Sequence, residues 1–115
     1  MRKITQNTIN AFLNKQDFKS SNTRVFYDKF DLTSRILLHN NCIATLQHDT
    51  NTLKISNCGW FSITTKERLN ALEGVNIRQK NFIWFLNGNE WNGQSITIPK
   101  VSNFSFDSEG DNTIV

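Results

Sequence analysis

Residues 57–75 read NCGWFSITTKERLNALEGV, and this stretch decides the fold, because within it a strand ends, a helix starts and the helix stops. Thr64 followed three residues later by Glu67 has the form of a capping box, in which the hydroxyl takes the Glu67 amide and the carboxylate returns to the Thr64 amide. This predicts a helix beginning near Thr65. Leu69 and Leu72 share one face with Ala71 beside them, while Lys66, Glu67 and Asn70 face water, so the helix needs a surface to lean on. Gly74 suits a left-handed C-terminal cap, and Val75 would fold back over the last turn. Gly59-Trp60-Phe61 puts two large rings just before the cap. In a small domain such rings anchor a loop into the core, the alternative being a platform for a ligand.

Upstream, Thr5 is placed to cap a first helix whose apolar face carries Ile9, Phe12 and Leu13, with Ala11 tolerated, ending near Asn14. Asn14 to Asp17 is a polar connection and Phe18 a plug that returns to the core. Residues 22–27 are rich in β-branched and aromatic side chains and read as a strand, and Asp28 to Asp31 turns the chain. RILLH (35–39) and CIATL (42–46) flank Asn40-Asn41, a pair that tolerates positive φ and suits a two-residue hairpin loop. After a turn at 47–51, Leu53 and Ile55 alternate with Lys54 and Ser56 in a fourth strand, so these strands suggest a meander.

Downstream, Val75 and Ile77 alternate with Asn76 and Arg78, and Gln79-Lys80-Asn81 turns into FIWFL (82–86), apolar on both faces. Burial on both faces as a central strand is the expected fate of such a run, the alternative being one face offered to a partner. Asn87-Gly88 is the strongest hairpin signal in the chain, and counting back from it sets Trp84 opposite Trp91, with Trp91 the more exposed because Glu90, Asn92 and Gly93 surround it. Such a cross-strand pair contributes roughly 0.5 to 1 kcal/mol. Asn92-Gly93 is either a bulge that lets the strand run on into residues 95–98 or a separate turn; the bulge is preferred because Glu90-Trp91 alone is short. Pro99 ends the sheet. Together these elements predict an α+β fold, with two short helices packed on a curved, mostly antiparallel sheet of about six to seven strands. Residues 1–100 form one domain by size, and 101–115 an acidic tail expected to be mobile, in which Phe104 and Phe106 can dock.

The composition, 37% hydrophobic and 20% charged, is that of a soluble globular domain. No apolar run approaches the roughly 18 residues of a membrane helix, and Gln6, Asn7 and Asn10 interrupt anything like a signal sequence, so the cytoplasm is the expected compartment. Cys42 and Cys58 are then expected as free buried thiols. All 13 Lys and Arg lie at or before Lys100 against seven acidic residues in that span, a net of +6 that raises the question of nucleic acid without the density that would answer it.

His39, Cys42, His48 and Cys58 are the only histidines and cysteines. They could hold zinc or supply a Cys–His pair, but the spacing fits turn histidines and structural thiols better. Asp28, Asp31 and Asp49 are turn acids. With no phosphate loop, nucleophile elbow or paired-carboxylate signature in the sequence, no enzyme, cofactor or metal is expected. Arg78, Lys80, Phe82 and Trp84 mix cations with rings in the manner of single-strand binders, and Arg78, Lys80 and Trp91 are the candidate contacts for a partner or nucleic acid. Against this, the ribonucleoprotein motif of RNA-recognition folds is absent.

Four stretches, GWFSITTKERLNAL (59–72), QKNFIWFLNGNEWNG (79–93) and the early ITQNTINAFLN and LLHNNCIA, resemble a family of small uncharacterised proteins of tailed bacteriophages, with a Gly-Trp-Phe, Thr-Thr-Lys-x-Arg-Leu-Asn and Leu-Asn-Gly-x-x-Trp pattern over residues 1 to about 98. The resemblance implies a phage origin and action inside the infected cell, and it transfers no catalytic residue. The function expected is that of a small non-enzymatic binding protein, a phage accessory factor acting on a host or phage protein, with single-stranded nucleic-acid binding as the alternative.

Overall fold

Alternating side chains from Thr23 to Ile55 give each strand one face for the core and one for water, and short turns fold them into a meander. The computed structural model, which describes residues 2–99, runs α1 (Lys3–Leu13), β1 (Phe18–Ser20), β2 (Thr23–Asp28), β3 (Thr33–Leu38), β4 (Asn41–Gln47), β5 (Thr52–Ile55), α2 (Ile63–Asn70), β6 (Ile77–Lys80), β7 (Ile83–Leu86), β8 (Asn89–Glu90) and β9 (Ile96–Ile98). The α+β class is as expected, but the strands form two sheets, one of six in the order β1-β2-β3-β4-β5-β9 and one of three, β6-β7-β8. Every pairing is antiparallel. The tail residues Phe104 and Phe106 lie outside the described residues.

Val25, Ile36, Ala44 and Ile55 stand opposite one another across β2 to β5 and are all buried, which makes this row the floor of the core. A register shift between Ile36 and Leu37 leaves Ile43 unpaired on β4, and the bulge turns both Ile43 and Ala44 inward. Helix α1 covers β1 to β3 with Ile9, Ala11 and Phe12, and α2 packs on β4 and β6 through Leu69. Leu13, expected on the buried face, is exposed: it lies one residue beyond Phe12, about 100° further round the helix.

Both helix starts differ from the expected ones. Helix α1 begins at Lys3 after Arg2, and Thr5, instead of capping it, is buried within the first turn. In α2 the cap is Ser62, whose Oγ accepts the Thr65 amide at 3.1 Å, two residues before the Thr64 cap read from the sequence. Extended backbone at Ser62 starts the helix early and frees Glu67, which pairs with Arg68 and Arg2 instead of capping. The helix stops at Asn70, whose side chain accepts from the Ile77 amide and donates to the Ile77 carbonyl, tying β6 to the helix end. Gly74 does adopt positive φ, though four residues past the helix, and Leu72 and Val75 are buried as expected.

Three hairpins turn on paired positive-φ residues, the signature of type I′ loops: His39-Asn40, Asn81-Phe82 and Asn87-Gly88. The first lies one residue earlier than the expected Asn40-Asn41, because Leu38 pairs with Asn41. The second takes Phe82 out of the strand and into the turn, where it is 92% exposed. Strand β7 is central in its small sheet but covered on one face only: Trp84 and Leu86 are buried, while Ile83 is exposed.

From Trp91 the chain does not continue its strand through a bulge at Asn92-Gly93; it turns there and crosses to the large sheet, where β9 pairs with β5. Gly93 has φ +91°, its carbonyl accepts from the Asn57 amide and from Ser56 Oγ, and a Cβ on it would lie 2.1 Å from Asn57 Oδ1. Both backbone conformation and space therefore demand glycine. Gly93→Ala is expected to destabilise the fold by about 3 kcal/mol in urea titration, more than the roughly 1 kcal/mol expected for Gly88→Ala, where the positive φ strains an alanine but the space around the Cβ is open.

Candidate binding surface

The carbonyl of Asn57 accepts from the Trp60 amide at 2.8 Å across Cys58 and Gly59, both at positive φ, so the turn is tight and held by its own backbone. It leads into Trp60 at 60% and Phe61 at 54% exposure, and the first residue of α2, Ile63, is 82% exposed. These rings do not plug the core as expected; Phe61 rests on the buried Trp84, and the buried residue of the turn is Asn57. Asn57 Oδ1 accepts from the Gly59 amide, and its Nδ2 is buried without a partner among the described residues. Phe61 meets Trp84 edge to face, with ring centroids 5.0 Å apart and planes at 76°, which links the loop to the small sheet. On the other side Trp60 overhangs a cleft of about 370 Å³ with Leu38 and Ile43 among its walls, His39 and Asn41 at the hairpin end and Ser62 and Thr65 from α2.

In the small sheet, Arg78 pairs with Phe85 and Lys80 with Ile83, so these four side chains share the outward face with Glu90. Both sequence-chosen cations, Arg78 and Lys80, are exposed. Trp91 is not: as counted from the turn, it stands opposite Trp84, its amide donating to the Trp84 carbonyl at 2.9 Å, and both indoles face inward with centroids 6.2 Å apart. Its Nε1 donates to the Gln94 carbonyl, which lets the whole ring be buried among polar neighbours and removes it as a surface contact. Phe82 and Phe85 are the rings that accompany the two cations instead.

The histidines and cysteines do not converge: among the described residues no three His, Cys, Asp or Glu side chains are grouped as a metal site would need. His48 Nε2 lies 2.7 Å from Ser34 Oγ, yet Ser34 is fully buried and the partner ring is Tyr27, edge-on at 5.7 Å, so the pair closes the sheet end and offers no accessible nucleophile. Burial and nearby Lys15 push the His48 pKa down, which favours the neutral ring. Cys42 and Cys58 are free thiols, but Cys58 is exposed instead of buried because it sits in the turn, its Sγ donating to the Cys42 carbonyl. The Asp28 carboxylate accepts the amides of Asp31 and Phe30, which lowers its pKa and confirms its place as a turn acid.

A sequence model of the Kyanoviridae Gp96 protein family matches residues 1–110. The chain belongs to this family. Comparison with curated proteins and with solved structures gives no match. Membership makes this a bacteriophage protein, in line with the resemblance, and the match spans every element from α1 to β9. Among the described residues of this Gp96-family protein, no helix is long and apolar enough to cross a membrane. Sequence reading missed its central polar residue, Arg68, which is buried although no local signal marks it.

Proposed function

We propose that this Gp96-family protein is a small non-enzymatic accessory factor that binds a host or phage protein inside the infected cell. The observation that carries the reading is the exposure of Trp60 and Phe61 at the end of a turn fixed by its own hydrogen bonds, with the exposed Ile63 beside them at the start of α2. Large rings held in place bind at low entropic cost, and such residues dominate protein interfaces. The cleft beside Trp60 gives an apolar side chain of the partner a place to insert. A photoreactive phenylalanine analogue at Ile63, activated during infection, is expected to yield one discrete adduct, reduced about tenfold or more by Trp60→Ala while the melting temperature is kept. Absence of an adduct, or one indifferent to Trp60→Ala, overturns the reading.

A second reading is favoured by the register of the small sheet, which sets Arg78 beside Phe85 and Lys80 beside Ile83 on one open face. Cations next to exposed apolar side chains suit a single-stranded nucleic acid. Loss of oligonucleotide binding in Arg78→Gln/Lys80→Gln supports it, and unchanged binding removes it.

A further inference from the structure

The large sheet has one face under α1 and α2, and its other face carries two adjoining rows of side chains fixed by the strand register. One runs Phe26, Arg35, Thr45, Lys54, Thr97 across β2, β3, β4, β5 and β9. The next runs Lys19, Arg24, Leu37, Cys42 across β1 to β4. These rows hold four cations and no acid, and the ion pairs among the described residues, Arg2–Glu67 and Arg68–Glu67, engage none of the four. Asp28, in the following row and close enough to Arg35 to feel its charge, marks where the basic face ends. The Arg24 guanidinium lies 5.7 Å from the centre of the exposed Phe26 ring, so a cation and an aromatic face stand side by side.

We infer that this open sheet face binds single-stranded nucleic acid, with phosphates held by Lys19, Arg24, Arg35 and Lys54 and a base stacked on Phe26. The inference rests on the large sheet alone and not on the loop or the small-sheet hairpin. Unpaired cations gain most from a polyanion, because binding releases its condensed counterions. A single strand is favoured over a duplex because its bases are free to stack on a ring, whereas this face has no protruding helix or ribbon to enter a groove. The row from Phe26 to Thr97 crosses four strand spacings, about 19 Å, and sheets of comparable width in RNA-recognition folds hold two or three bases.

The test is fluorescence anisotropy with labelled short oligothymidylate, oligouridylate and a duplex, with heparin as competitor. The single strands should bind better than the duplex, and affinity should fall about 20- to 50-fold between about 50 and 200 mM salt if three to four phosphates are neutralised. Thymidylate against uridylate tells which sugar the face prefers. Arg24→Gln/Arg35→Gln/Lys54→Gln should abolish binding, and Phe26→Ala should weaken it at least fivefold while leaving the salt slope unchanged. Arg78→Gln/Lys80→Gln should retain full binding, which separates this face from the hairpin. All variants alter outward side chains, and matching melting curves check that they fold. No binding, equal binding to duplex or heparin, an unaffected Phe26→Ala, or loss only in the hairpin variant would overturn the assignment.

Discussion

Arg68→Ala is expected to cost about 3 to 5 kcal/mol, most of the stability of a marginal domain, and to be read as a large drop in the urea midpoint. Arg68 is 1% exposed. Its Nη1 donates to Thr5 Oγ1 and to Glu67 Oε1, both at 2.6 Å, and Nε donates to Thr23 Oγ1 at 3.4 Å. One side chain thus joins α1, β2 and α2. Burial favours the neutral guanidine and lowers the Arg68 pKa, while Glu67 opposes it, so the buried charge depends on its donors to offset its lost hydration. Truncation strands the buried Thr5 hydroxyl and takes a donor from Glu67, while Thr23 keeps its bond to Asn22, and Arg68→Lys should fail nearly as badly because an ammonium cannot reproduce the planar fork. Arg68→Met with Glu67→Gln should be milder than Arg68→Ala, since an apolar filler avoids desolvating a charge. A loss below about 1 kcal/mol for Arg68→Ala would show that water replaces the network.

Trp84→Ala should cost a similar 3 to 5 kcal/mol, by a different mechanism. At 2% exposure Trp84 is among the largest fully buried side chains, set against Trp91 and Phe61, with Lys66 Nζ 5.7 Å from its ring. Removing it leaves a cavity that the rigid hairpin cannot collapse to fill, and withdraws the edge on which Phe61 rests. Trp84→Phe keeps part of that packing and should lose less than half as much. Partner binding by Trp84→Ala should fall in step with folding, whereas Trp60→Ala should lower binding with little change in the melting temperature. Equal midpoints for Trp84→Ala and the native chain would exclude a core role.

What was legible in the sequence is what neighbouring residues decide among themselves. The Asn87-Gly88 turn needs only two residues tolerant of positive φ, and it alone fixed Trp84 opposite Trp91. The alternation in 23–27 and 53–55 gave the strands, and the Leu69-Leu72 spacing gave the buried side of the region around α2. Tertiary structure decided the cases in which two local readings were both satisfactory. Ser62 and Thr64 are each sound caps, and the choice of Ser62 released Glu67 to pair with Arg68, a residue whose burial depends on hydroxyls 45 and 63 positions away. Gly93 suits a bulge or a turn, and the short Glu90-Trp91 favoured the bulge; only the Asn57 side chain packed against it, from a distant turn, makes it the point where the chain leaves one sheet for the other. The exposure of Trp60 and Phe61 likewise follows from a core already filled by Trp84, and the basic rows of the large sheet exist only through the register of five strands, shifted by the bulge in β4. Long-range packing, not propensity, sets which side chains the finished surface displays.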